Sequence, residues 1–180
     1  MEQYLEYCVF LKLTSRNLDS AHILIVTSYP EIEDFCRKSG FTVLKNEGGE
    51  NTGIASSIHK AVEYLEKTDR VLESRESFDV FFTADQPGLD ETEAELFLRQ
   101  YALQKKKIGT MECEAVWRSP NVFDACYRKE LLQLSGEKGG KFVMRQHKED
   151  VFAYHTDRVE QFLDIDTRED LLRISDKLFS

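Results

Sequence analysis

The run Phe78–Ala84 (FDVFFTA) leads directly into Asp85-Gln86-Pro87-Gly88. A carboxylate held at the end of a rigid strand is a place where a divalent cation bound to phosphates can be gripped, because magnesium is commonly held by one or two protein carboxylates while the substrate supplies further oxygens. Pro87 restricts Gln86 to extended geometry and ends the strand. Asp, Pro and Gly also make turns unaided, so a plain turn is the competing reading. A second acidic group, Asp164-Ile165-Asp166-Thr167, opens the C-terminal helix. If this piece is extended, alternation across Ile165 points Asp164 and Asp166 the same way, and they could complete a metal site with Asp85. The alternative makes Asp166 or Thr167 a helix N-cap with an acid near the positive end of the dipole, and both roles can coexist.

Two glycine-containing stretches add candidates. Asn51-Thr52-Gly53-Ile54-Ala55-Ser56-Ser57 starts a helix with small residues and hydroxyls, which lets backbone N–H groups and serines approach a polar or anionic ligand. Gly136-Glu137-Lys138-Gly139-Gly140-Lys141 links two short helices and either admits a ligand closely or serves as a C-cap and flexible turn. Neither is a GxGxxG or GxxxxGK[ST] phosphate loop. His22, His59, His147 and His155 are scattered and form no ligand set.

These residues need a scaffold that gathers them. Ala21–Thr27 and Phe78–Ala84 are continuous apolar runs, the signature of strands covered on both faces. Phe41–Lys45, Ile108–Cys113 and Val151–His155 read as three further strands. Capping pairs precede helical stretches at Ser28/Glu31, with Pro30 in the first turn, at Asp90/Glu93 and at Thr167/Asp170. Ile54, Ile58, Val62 and Leu65 share one face of the helix Thr52–Glu66, and Ala94, Leu96 and Leu103 do similar work in the next. Helices alternating with buried strands imply right-handed crossovers and a single α/β domain over 1–180, a Rossmann-like three-layer α/β/α sandwich with a mostly parallel sheet. In such sheets the chemistry gathers at the carboxyl ends of the strands.

Composition narrows the classes. A formal charge of −9 and a pI near 5.0 leave no basic stripe for nucleic-acid phosphates. No apolar run approaches the roughly 20 residues of a membrane span. Glu2 and Glu6 stand where a signal peptide carries basic residues, so a cytoplasmic location is expected. The four cysteines, Cys8, Cys36, Cys113 and Cys126, form no Cys-x-x-Cys pair and are expected to be buried free thiols.

The ordered set of Asn46…Gly53-Ile54-Ala55-Ser56-Ser57-Ile58, Asp85-Gln86-Pro87, Pro120-Asn121-Val122-Phe123, Gly136–Gly140 and Asp164-Ile165-Asp166-Thr167-Arg168-Glu169-Asp170-Leu171 resembles the MobA-like nucleotidyltransferases. Within them it is most similar to the molybdenum-cofactor cytidylyltransferases, from about Tyr4 to about Ile174. The resemblance implies a nucleotide-diphospho-sugar transferase type of fold. It also implies Mg2+-dependent transfer of a nucleoside monophosphate from CTP, or GTP, to the phosphate of molybdopterin, with release of pyrophosphate and with a molybdoenzyme under maturation as protein partner. By the same resemblance Asp85 and Asp166 are catalytic and hold magnesium together with Asp164. Asn46, Gly53, Ser56, Ser57, Gln86 and Pro87 fall at nucleotide-binding positions, and Pro120, Gly139 and Gly140 face the acceptor. A sugar-phosphate nucleotidylyltransferase is the neighbouring alternative.

One departure stands out. The family begins with a strand and a Gly-rich loop bearing an Arg and a Lys that cradle the triphosphate, whereas MEQYLEYCVFLKL resembles the helix after that loop, with Lys12 and Arg16 on the wrong side to replace it. The expectation is a domain lacking its first central strand: either an N-terminally shortened form of an active enzyme, or a relative that binds nucleotide, cofactor or a protein partner without turnover.

Overall fold

A computed structural model describes residues 23–46, 53–69, 78–167, 169–170 and 172. The expectations for Ala21, His22, Cys8, Lys12, Arg16 and the N-terminal helix lie outside these residues. The chain divides into two compact units, each built from separate stretches of sequence: Leu18–Asp79 with Phe123–Asp150, and Met1–Asn17 with Val80–Val122 and Val151–Ser180.

In the first of these units, β1 (Leu24–Thr27) and β2 (Thr42–Lys45) pair in parallel, Leu24 opposite Thr42 and Thr27 opposite Lys45. The helix between them, α1 (Pro30–Lys38), starts one residue later than expected. Tyr29 precedes a proline and is therefore extended (φ −94°, ψ 118°), so it occupies the N-cap position and the Ser28/Glu31 box does not form. The helix α2 spans Gly53–Asp69. Ile58 and Val62 are buried as expected, whereas Ile54 is 44 % exposed and Ala55 takes its place in the core stripe. The second half of this unit carries two brief helices, Arg128–Leu131 and Gly140–Gln146, joined by the glycine-rich turn.

The other unit holds most of a four-stranded sheet. Its strands are β3 (Phe78–Phe81), β4 (Ile108–Cys113), β5 (Val116–Asp124) and β6 (Val151–His155), in the order β3-β5-β4-β6. β4 and β6 are parallel, Ile108 opposite Val151. The helix α3 (Glu91–Ala102) is capped as its sequence suggests: the Asp90 side chain accepts from the N–H groups of Thr92 and Glu93. Its buried stripe is Ala94, Phe97 and Tyr101, whereas Leu96 and Leu103 are exposed. Leu103 is already past the helix, and Leu96 is about 200° around it from Ala94. Phe97 and Tyr101 pack with Leu89, Met111, Cys113, Val122 and Phe162 into one apolar cluster. Strands and helices thus alternate in a mixed α/β fold with parallel pairing, as expected.

β5 was not expected from sequence. Pro120 and Asn121 interrupt its pattern, and Glu114-Ala115 carries no hairpin signature, yet both adopt positive φ (53° and 59°) in the two-residue turn after β4. Left-handed backbone costs an L-residue roughly 1–2 kcal/mol, and glycine escapes that cost. Ala115 is exposed. We expect Ala115→Gly to stabilise the chain by about 1 kcal/mol and to raise its Tm by about 2–4 °C in a thermal melt. A lower Tm would show that the alanine methyl makes a compensating contact.

Among the described residues no helix is long and apolar enough to cross a membrane. Cys36 and Cys113 are buried free thiols, as expected. Cys126 is exposed rather than buried, because it sits in the single helical turn that follows β5.

Candidate functional site

β3 ends at Phe81, three residues short of the expected boundary, and a side chain prolongs its order. Ser119 on β5 donates through its hydroxyl to the Phe81 carbonyl (3.4 Å) and accepts from the Thr83 N–H (3.2 Å). Asp85 follows in a tight turn. Its carbonyl accepts from the Ile165 N–H at 2.9 Å, which joins the two acidic stretches by a backbone bond. A second bond runs alongside: the buried Gln86 donates from Nε2 to Asp164 Oδ1 at 2.8 Å. Pro87 is half-buried and keeps Gln86 extended.

The electrostatics of this cluster are unfavourable as it stands. Asp85 Oδ1 is buried and has no hydrogen-bond partner among the described residues. Burial first, then the negative charges of Asp164 and Asp166, push the Asp85 carboxyl up from its ordinary value, against the opposing pull of a backbone N–H and the Thr83 side chain. Asp164 and Asp166 are exposed. Asp166 is not the helix cap. Thr167 takes that role in a reciprocal box: its Oγ1 accepts from the Asp170 N–H at 3.2 Å, and Asp170 Oδ2 accepts from the Thr167 N–H at 3.1 Å. The cap therefore makes no demand on the Asp166 carboxylate.

Such a set fits a divalent cation of the magnesium kind. A buried carboxylate oxygen without a hydrogen-bond partner, under the repulsion of two further carboxylates, would gain from a cation beside it. Among the described residues no group of three or more His, Cys, Asp or Glu side chains is gathered so as to hold a metal ion. The donor set therefore suits a cation that one or two carboxylates hold and that substrate phosphates complete, rather than a caged structural metal.

The other unit gathers the remaining candidates around the start of α2. Asn46, buried after β2, accepts from the Ser56 hydroxyl at 2.8 Å and donates to Ser57 Oγ at 3.1 Å. Gly53 has φ 64°, and a Cβ there would lie 2.3 Å from the Gly136 carbonyl oxygen. That same oxygen accepts from the Ala55 N–H at 3.1 Å, so the helix start is pinned to the glycine-rich turn. The Ala55 amide is thereby committed to the protein itself, which narrows the expected role of this helix start as an open anion cradle. Gly139 backs onto Ile54, and Gly140 onto the Phe123 ring. Pro120 belongs to the first-described cluster's unit, where it is fully buried after a cis bond from Ser119. Its ring is a core contact, so any part it takes in binding runs through the strand it shapes.

Sequence reasoning missed Asp79, Arg158 and Gln161, and had Gly88 only as part of a turn. Asp79 Oδ1 and Oδ2 accept from Arg128 NH2 (2.7 Å) and Nε (2.8 Å), and both side chains are buried. A lone acid within FDVFF was the available signal, since a buried carboxylate requires a partner.

Residues 8–151 match the family described as MobA-like NTP transferase domain. The fold is similar to Rv0371c of Mycobacterium tuberculosis in complex with manganese (TM-score 0.73, 16 % identity, 97 % of this chain and 86 % of that one). It is also similar to CMP:2-keto-3-deoxy-manno-octonic acid synthetase complexed with CTP (0.71, 9 %, 97 % and 87 %). A third similar structure is molybdopterin-guanine dinucleotide biosynthesis protein A of Archaeoglobus fulgidus (0.63, 14 %, 96 % and 84 %). No curated protein matches the sequence. With 8–151 covering most of the chain, and with parallel-paired strands alternating with helices, the chain belongs to the MobA-like NTP transferase domain family of nucleotidyltransferases.

Proposed function

We propose that the chain acts on CTP or GTP with a divalent cation, Mg2+ or Mn2+, and transfers the nucleoside monophosphate to the phosphate of a molybdopterin-type acceptor. The observation that carries this reading is the orphaned Asp85 oxygen beside Asp164 and Asp166. When bound, the cation supplies neutralising charge to the triphosphate. The chain's own residues supply position. The Ile165–Asp85 backbone bond and the Gln86–Asp164 bond fix where the carboxylates stand before any substrate arrives. Asn46 holds Ser56 and Ser57 in one arrangement, which suits contacts to ribose or base. A phosphate nucleophile is already ionised at neutral pH and needs little proton removal, so the carboxylates are free to serve the cation. Gly139 and Gly140 are assigned to the acceptor side.

The test is metal-dependent nucleotide binding by calorimetry, followed by pyrophosphate release with each acceptor. We expect CTP or GTP to bind only with Mg2+ or Mn2+, and pyrophosphate to appear with molybdopterin. Release driven by a sugar phosphate instead would replace the acceptor by that class. Nucleotide affinity that is unchanged by chelation of the metal would remove the reading altogether.

A further inference from the structure

Between Asp85 and Asp90, and between Arg158 and Asp166, two loops run side by side and are tied at successive points. At one end lie the Ile165–Asp85 and Gln86–Asp164 bonds. In the middle the backbones touch so closely that a Cβ on Gly88 would lie 2.7 Å from the Glu160 carbonyl oxygen. At the other end stands Gln161, fully buried, whose amide makes a fork. Its Oε1 accepts from the Asp90 N–H at 3.1 Å, and its Nε2 donates to Glu93 Oε2. Arg158 adds contacts to Asp90 (3.1 Å) and Glu93 (3.4 Å), but it is half exposed, and such pairs contribute little. Gln161 is thus the water-shielded anchor of the segment whose next residues carry Asp164 and Asp166.

We propose that Gln161 is a positioning residue: its fork onto the start of α3 sets where Asp164 and Asp166 stand relative to Asp85, and so sets the affinity for the divalent cation. The inference rests on the metal-nucleotide reading above. A fork of this kind has a distinctive chemistry, because only a side chain that offers both an acceptor and a donor satisfies the Asp90 amide and the Glu93 carboxylate together. A glutamate in its place keeps the acceptor and sets two carboxylates against each other. Adding E93Q moves the donor to the other side of the same bond and leaves the net charge unchanged.

The experiment uses the full chain as wild type, Q161E, Q161E/E93Q and G88A, with Mn2+ as the probe, free ion followed by electron paramagnetic resonance with and without CTP, and a melt of each variant. Residues that orient metal ligands typically change affinity by about 10–100-fold, and we expect a loss of that order in Q161E, with return to within about threefold of wild type in Q161E/E93Q. G88A, which wedges the loops apart at a different place, should show the same loss, and it carries the test if Q161E does not fold. If Q161E melts lower yet binds Mn2+ as wild type does, Gln161 only supports the helix start and the inference falls alone. If wild type binds no Mn2+, the inference and the functional reading fall together.

Discussion

Asp85→Asn should melt at a higher temperature than the wild-type chain in metal-free buffer at neutral pH, and should lose its response to Mn2+ and CTP. Both effects come from one property. Burial and the neighbouring Asp164 and Asp166 charges raise the Asp85 pKa in the folded chain above its unfolded value. A carboxyl with a raised folded pKa favours folding below the unfolded value, and that contribution is lost as pH rises through the folded value. At neutral pH Asp85, with its raised folded pKa and an unpartnered buried oxygen, therefore opposes folding. Asn removes the charge at nearly constant volume. The Tm difference should shrink as pH falls into the carboxylate range, where Asp85 is protonated in both states. With cation and nucleotide present the order should reverse, because ligand binding stabilises only the chain that can bind. Loss of one charged partner from such a pairing costs about 2–5 kcal/mol, so we expect Mn·CTP affinity to fall on the order of 100-fold. Melting curves from low to neutral pH, with and without Mn·CTP, check both halves. A metal-free Tm below wild type at neutral pH, or an intact Mn·CTP response, would contradict the placement of Asp85 at the cation.

How far the sequence could be read depends on the distance over which each signal acts. β4 and β6 match their expected bounds because their patterns are local and uninterrupted. β5 escaped because Pro120 breaks its pattern at a point where Ser119 and a positive-φ turn compensate, and neither compensation shows in composition. Ile58, Val62 and Ala94 lie on the buried faces as expected, but Ile54, Leu96 and Leu103 were misplaced because they are as apolar as the buried positions beside them. At the site, the acids were visible as strand-end and helix-start motifs, and the Thr167/Asp170 box is a spacing of three. What joins them was not visible: Gln86 meets Asp164 across 78 positions, and Gln161 meets Asp90 across 71. A side-chain amide reveals nothing in sequence about which backbone it will fork onto.

The largest change in stability should come from Asp79 and Arg128. Their paired hydrogen bonds, at 2.7 and 2.8 Å, are charge-assisted and have the side-by-side geometry that guanidinium and carboxylate share. They tie the start of β3 to the first turn of the helix Arg128–Leu131 inside one unit, with each side chain 7 % exposed or less. Burial makes the pair costly to break and only modestly favourable to possess, since both ions have given up their hydration. Asp79→Ala leaves the guanidinium buried without its counter-charge, and the expected loss is about 3–5 kcal/mol. Domains of this kind have about 5–15 kcal/mol in total, so the variant should approach the limit of folding at 37 °C. Arg128→Met alone should cost a comparable amount by stranding the carboxylate. The double variant Asp79→Ala/Arg128→Met strands neither, and we expect it to recover most of the loss. Urea unfolding of all four proteins, compared at matched m-values, provides the measurement. Single variants within 1 kcal/mol of wild type, or a double variant whose loss equals the sum of the two singles, would show that the ion pair is not the tie between these elements.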